Sequence, residues 1–233
     1  MTHHPTDRLI IALDVASGRE ALRLARLLAP VTRFFKIGSV LFTLEGPPLV
    51  EKLVGEGFQI FLDLKFHDIP EVVVGSVMNA AKLGISMMTL HASGGESMMR
   101  AGAEAARRLA PPVRPLLLGV TVLTSFSQDS WGRTFPGGET GPSTRHLADL
   151  AASAGLDGVV CSPQELPLLS GVRLKKIVPG VRPAGSAPGD QQRIRTPAQA
   201  IGAGADYLVV GRPITQAPDP VEAARQILLE MGT

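Results

Sequence analysis

Eight short apolar runs recur along this 233-residue chain at intervals of roughly 25 residues, each followed by a stretch whose apolar residues fall three and four apart. The runs are Leu9 to Leu13, Phe34 to Ile37, Phe58 to Leu62, Met87 to Leu90, Leu116 to Val120, Gly158 to Cys161, Lys175 to Val178 and Tyr207 to Val210. Helical spacing covers Arg19 to Leu28, Pro47 to Gly55, Pro70 to Leu83, Glu96 to Leu109, Ser143 to Ala154, Pro163 to Leu169, Pro197 to Ala203 and Pro220 to Glu230. Several of these open on proline, whose missing amide hydrogen is not needed in a first helical turn. The alternation predicts repeated βα units around a parallel sheet, and eight units predict a closed (β/α)8 TIM barrel rather than an open sheet. Barrels of this class reach about 250 residues without dividing, so residues 1–233 are read as a single domain.

Composition narrows the function classes. Hydrophobic residues make up 45% and charged residues 19% of the chain, which provides for a full core and argues against disorder. The net charge of +2 and the scattered basic residues argue against a nucleic-acid or membrane partner. No run of about 18 apolar residues occurs, and Met1 to Arg8 has no apolar signal region, so a cytoplasmic location is expected. The lone cysteine, Cys161, excludes an intramolecular disulfide and reads as a small core residue.

The third apolar run ends in Asp63-Leu64-Lys65-Phe66-His67-Asp68. Strand alternation puts Asp63 and Lys65 on one face, roughly 7 Å apart along the chain, with Leu64 and Phe66 on the other. Burying a charge costs several kcal/mol unless it is compensated, so both signs on one face indicate either a structural ion pair or a functional cluster. In a barrel the carboxyl ends of the strands carry the active site. Read at those ends, the chain presents Asp14, Lys36, Asp63 with Lys65, His91, Thr121 with Thr124, Gly180 with Arg182, and Gly211 with Arg212. Two long connections, Thr124 to Pro142 and Pro179 to Thr196, are rich in Gly, Pro, Ser and Thr and read as lids or binding loops.

Pro179-Gly180-Val181-Arg182 and Gly211-Arg212-Pro213 combine glycines that admit close backbone approach with planar, two-pronged cations. At the seventh and eighth loops of a barrel, this reads as a phosphate site. At the other end, Lys36, Asp63, Lys65 and Asp68 form an array of alternating charge. Carboxylates beside a lysine favour its charged form, and an ammonium aimed at a developing carbanion is a general acid. His67 and His91 read as structural, the latter as a hydrogen-bonded side chain.

With these residues in place, the chain resembles the orotidine 5'-phosphate decarboxylase family in its bacterial form. The resemblance is carried by Ile11-Ala12-Leu13-Asp14, Phe35-Lys36-Ile37-Gly38, Phe61 to Pro70, His91-Ala92-Ser93-Gly94-Gly95, Thr121 to Ser125, Asp157 to Ser162, Pro179 to Arg182 and Val209 to Ile214, in the family's order. It implies cofactor-independent, metal-free decarboxylation of orotidine 5'-monophosphate. Lys65 would deliver the proton to ring carbon 6, Asp63 would lie next to the departing carboxylate, and Lys36 would orient the array. Asp68 and Ile69 would enter the site of a neighbouring subunit, so a homodimer with shared active sites is implied. Asp14 would bind the ribose, Thr124 the pyrimidine, and Arg182, Gln191, Gly211 and Arg212 the phosphate. One departure stands out: the family's usual threonine two residues beyond the proline of Asp68-Ile69-Pro70 is Val72 here. That loses a hydrogen-bond donor, at a cost of roughly 0.5 to 1.5 kcal/mol, and Val72 is not placed among the site residues.

Two rivals follow from the same residues. A hexulose-phosphate synthase or sugar-acid phosphate decarboxylase of this superfamily shares Asp-x-Lys-x-x-Asp but works on magnesium and carries glutamate where this chain has Lys36. A non-catalytic phosphate-binding barrel would keep the fold without turnover.

Overall fold

The structure, a computed structural model, describes residues 8–111, 113–183 and 195–232. Its strands are β1 (Leu9–Ala12), β2 (Phe34–Gly38), β3 (Gln59–Phe66), β4 (Met87–His91), β5 (Leu116–Val120), β6 (Gly158–Val160), β7 (Lys175–Pro179) and β8 (Tyr207–Val210). All pair in parallel and in sequence order, and β8 closes on β1, so they form the expected eight-stranded barrel. The helices among the described residues are α1 (Gly18–Leu28), α2 (Ser39–Glu45), α3 (Pro47–Gly55), α4 (Pro70–Ala81), α5 (Glu96–Arg107), α6 (Gln128–Thr134), α7 (Thr140–Ala154), α8 (Pro197–Gly202), α9 (Arg212–Thr215) and α10 (Pro220–Glu230).

Local sequence explains the regular elements. In α1, Ser17 accepts a hydrogen bond from the Glu20 amide, and Ala21, Leu24, Ala25 and Leu28 form one buried stripe at helical spacing. Proline stands in the first turn of α3, α4, α8 and α10. Two cores result. A large outer one lies between strands and helices, and a smaller inner one fills the barrel with Ile10, Ala12, Phe34, Phe61, Met87, Leu118, Ile177, Tyr207 and Val209. These inner residues alternate along their strands with outer-core residues, as the period of two requires. Cys161 is fully buried in the outer core.

Four expectations need correction. The stretch Pro163 to Leu169 is not a helix; only Leu166–Leu169 makes a 3-10 turn. Pro167 has no amide hydrogen to give an α-helical bond, and the buried Glu165 side chain instead accepts from the Ser162 amide. The connection after Thr124 holds α6, capped reciprocally by Ser127 and Ser130, and α7 begins at Thr140 rather than Ser143. Lys36 lies mid-strand in β2 rather than at its end. Asp63 and Lys65 belong to β3, which runs to Phe66, but there the strand is irregular.

Candidate active site

The β3 irregularity builds the charged end of the site. Pairing with β4 passes from Leu62 opposite Met88 to Phe66 opposite Leu90, four residues on one strand against two on the other. Lys65 takes up the surplus in a left-handed conformation, φ +53°, the one such non-glycine residue among those described. Despite the bulge, Asp63 and Lys65 share a face, with Lys65 Nζ donating to Asp63 Oδ2 at 2.9 Å. Leu64 and Phe66 pack against the outer core, on the face that strand alternation predicts, although the backbone at Lys65 is left-handed.

Lys36 projects from β2 on the side of Phe34, into the barrel mouth, and is nearly buried. Its ammonium donates to Asp14 Oδ1 at 3.1 Å and lies 3.6 Å from Asp63 Oδ2. Asp63 therefore stands between two cations. Burial by itself would raise its carboxyl, but Lys36, Lys65 and hydrogen bonds from Lys65 and Thr89 outweigh that and hold it below the ordinary carboxylate value. The Thr89 hydroxyl donates to Asp63 Oδ1 at 3.0 Å and accepts from the Lys65 amide at 2.9 Å. Gly38, paired with Asp63 across the strands, leaves room for the array, since a Cβ there would lie 3.0 Å from Lys36 Nζ and 3.2 Å from Asp14 Oδ1.

Asp68 does not join this array within the chain. It is exposed beyond the strand, its Oδ1 accepts from the Ile69 amide, and among the described residues it makes no ion pair. With Ile69, itself 63% exposed, it lines a separate recess next to His67 and Gly94.

A cleft of about 440 Å³ runs over Asp14, Lys36, Asp63 and Lys65. It meets a second cleft, of about 350 Å³, which shares Asp14 and Lys36 and extends to Pro179, Gly180, Arg182, Gly211, Arg212 and Gln216. The charged array and the two glycine-arginine loops are thus the two ends of one continuous depression across the barrel mouth. Gly180 has φ +76°, a conformation a side chain would resist. Arg182 is nearly buried and donates to the Val181 carbonyl at 3.0 Å. Thr124 lies half-buried in the turn after β5. Gln191 lies outside the described residues, as does most of the loop between Pro179 and Thr196; a parallel bridge from Val181 to Arg195 joins the two sides of that loop.

His91 corrects another expectation. Among the described residues its Nδ1 is buried without a hydrogen-bond partner, and its ring faces that of His67 at 5.4 Å. Burial, with His67 and Lys65 nearby, holds the imidazole below its ordinary value, Asp63 opposing in part. Val72 stands on the outer side of α4, 46% exposed. Sequence reasoning missed Thr89, Gly38 and Gln216. For Thr89 the only sign was one hydroxyl in the apolar run Met87 to Leu90.

With this geometry in view, three comparisons carry weight. Residues 7–227 match the sequence model of the family described as Orotidine 5'-phosphate decarboxylase / HUMPS. Orotidine 5'-phosphate decarboxylase of Nitrosococcus oceani is 49% identical over 228 residues, covering 97% of each chain. The protein of the same name from Pseudomonas aeruginosa is 47% identical over 226 residues, covering 96% of this chain and 97% of its own. The crystal structure of orotidine 5'-phosphate decarboxylase from Lactobacillus acidophilus superposes with a TM-score of 0.85 at 34% identity, covering 97% of this chain and 100% of that one. A chain that matches the family over nearly its whole length, and whose barrel superposes on that of a named relative, belongs to the orotidine 5'-phosphate decarboxylase / HUMPS family.

Proposed function

We propose that this protein decarboxylates orotidine 5'-monophosphate to uridine 5'-monophosphate, the last step of de novo UMP synthesis, using no cofactor and no metal. The observation that carries the reading is Asp63 held between the ammonium groups of Lys36 and Lys65, at 3.6 and 2.9 Å. The bond from ring carbon 6 to the carboxylate breaks, its electron pair stays on carbon 6, and carbon dioxide departs past Asp63. The Lys65 ammonium gives its proton to that carbon, and the resulting amine regains a proton from solvent. Charges fixed before reaction stabilise the developing carbanion without reorganising. Asp14 takes the ribose hydroxyls and Thr124 the pyrimidine. Arg182, Gly211 and Arg212, with Gln191, take the phosphate, whose binding energy is used at the distant reacting carbon.

Lys36 also separates this reading from that of a magnesium-dependent sugar-phosphate enzyme. Its ammonium occupies the space between Asp14 and Asp63, where a divalent cation would require anionic oxygen ligands. The exposed Asp68 and Ile69 point to a homodimer in which each subunit completes its partner's site. The whole chain acts as one domain, and its place is the cytoplasm; among the described residues no helix is long and apolar enough to cross a membrane.

The deciding assay follows loss of orotidine 5'-monophosphate absorbance with chelator-treated protein, wild type beside Lys65→Ala. Rapid conversion that collapses in the variant is expected. A folded wild type that converts none refutes the reading and directs attention to sugar phosphates with magnesium. For the dimer, mixing Lys65→Ala with Asp68→Ala subunits should restore activity through hybrid sites. Hybrids that form but stay inactive would refute shared sites.

A further inference from the structure

The charged array depends on a residue that carries no charge. Thr89 is fully buried on β4, on the same inward side as Met87 and His91. Where β3 bulges away from the β4 ladder, the Lys65 amide is met by the Thr89 hydroxyl rather than by a strand carbonyl. That hydroxyl passes its own hydrogen to Asp63 Oδ1, leaving Oδ2 for Lys65 Nζ and Lys36 Nζ. One oxygen atom therefore ties together the backbone of the left-handed Lys65 and the orientation of the carboxylate between the two cations. A left-handed lysine persists only where its surroundings hold it.

We propose that Thr89 is a positioning residue for decarboxylation, its hydroxyl fixing both the Lys65 backbone and the plane of the Asp63 carboxylate so that proton donor and carboxylate keep one relative geometry. The activity part rests on the decarboxylase reading; the positioning part does not. Without the hydroxyl, the Lys65 amide loses its acceptor, and Asp63 is free to turn about its terminal bond. Asp63 also loses one hydrogen bond that favours its ionised form. The other charged or titratable groups facing it are Lys36 from β2, Lys65 from its own strand and His91 from β4, with Asp14 beyond Lys36. A change at Thr89 removes none of these charges, so a shift in Asp63 reports on the missing hydroxyl and the geometry it holds.

The test compares Thr89→Val, of equal shape, with Thr89→Ser, which keeps the hydroxyl. Thr89→Val should lower kcat about 10- to 100-fold, the effect of losing hydrogen bonds to a charged group and its neighbour, with KM changed less than about threefold. Thr89→Ser should stay within about threefold of wild type. Carbon-13 titration of the Asp63 carboxyl, independent of turnover, should show a raised midpoint in Thr89→Val that returns in Thr89→Ser, and the Lys65 amide should exchange faster in Thr89→Val alone. Wild-type kcat in Thr89→Val, or an unmoved Asp63 midpoint, overturns the proposal. Should Thr89→Val not fold, the smaller Thr89→Ala is read by the same two measures, and unchanged values there overturn it equally. If folded wild type shows no turnover at all, the decarboxylase reading fails, while the titration and exchange still decide the role of Thr89.

Discussion

Replacing Lys36 by methionine removes one ammonium and keeps the apolar stem, so it isolates the electrostatics of the array. At an effective dielectric of about 20, unit charges 3.6 Å apart attract by about 5 kcal/mol, much of which is returned as the cost of desolvating them. Breaking a buried pair typically costs about 3 to 5 kcal/mol, because the remaining charge is left under-compensated. Lys65 at 2.9 Å and Thr89 at 3.0 Å still serve Asp63, which places Lys36→Met near the lower end, about 3 kcal/mol. The Asp14 contact adds less than about 1 kcal/mol, since that side chain is 59% exposed. The pH dependence fixes the cause. In wild type the Asp63 carboxyl is held below its ordinary 3.8, so its contribution is fully present above that value and is lost as pH falls through the lower folded one. In Lys36→Met one of the cations that offset burial is gone, so the folded value rises from its wild-type position. The penalty is then absent at low pH and grows as pH climbs towards the raised value. Urea unfolding of both proteins at one fixed concentration should therefore show a large difference near pH 7 and a smaller one near pH 4. A difference below about 1 kcal/mol, or one equal at both values, refutes the account of Lys36 as a buried counter-charge.

Three further outcomes follow from single residues. Because Lys65 is left-handed, Lys65→Gly should unfold at higher denaturant than Lys65→Ala, by roughly 1 kcal/mol, though both lack the ammonium; an alanine variant of equal stability would show the conformation to be unstrained. Arg182→Ala should weaken binding of uridine 5'-monophosphate about 10- to 100-fold while leaving the weak binding of uridine unchanged, measured by calorimetry; equal losses for both would remove Arg182 from the phosphate end. The third concerns His91, whose imidazole is held below its ordinary 6.5. The unfolded chain binds the extra proton first, so wild type loses stability as pH falls below 6.5, and His91→Phe should lose less over the same range. Parallel pH profiles for the two would show that His91 is not the source.

Much of this molecule is a matter of local period. Apolar runs with a repeat of two and helices with a repeat near 3.6 each record which face is buried, and eight such pairs leave little choice but a closed barrel. Because barrels concentrate chemistry at strand ends, Asp14, Lys36, Asp63, Lys65, Arg182, Gly211 and Arg212 were legible as a group before their contacts were known. The proline-broken segment near Pro167 and the helix Gln128–Thr134 were less legible, because caps and breaks of one turn leave no periodic trace. What tertiary structure alone decided lies where strands distant in sequence are brought side by side. The left-handed turn at Lys65 and the bond from Thr89 to Asp63, 26 residues away, arise from a mismatch between β3 and β4. Such a mismatch exists only between paired strands. No single strand carries it, and so the sequence names the charged residues while the closed barrel sets the distances at which their charges act.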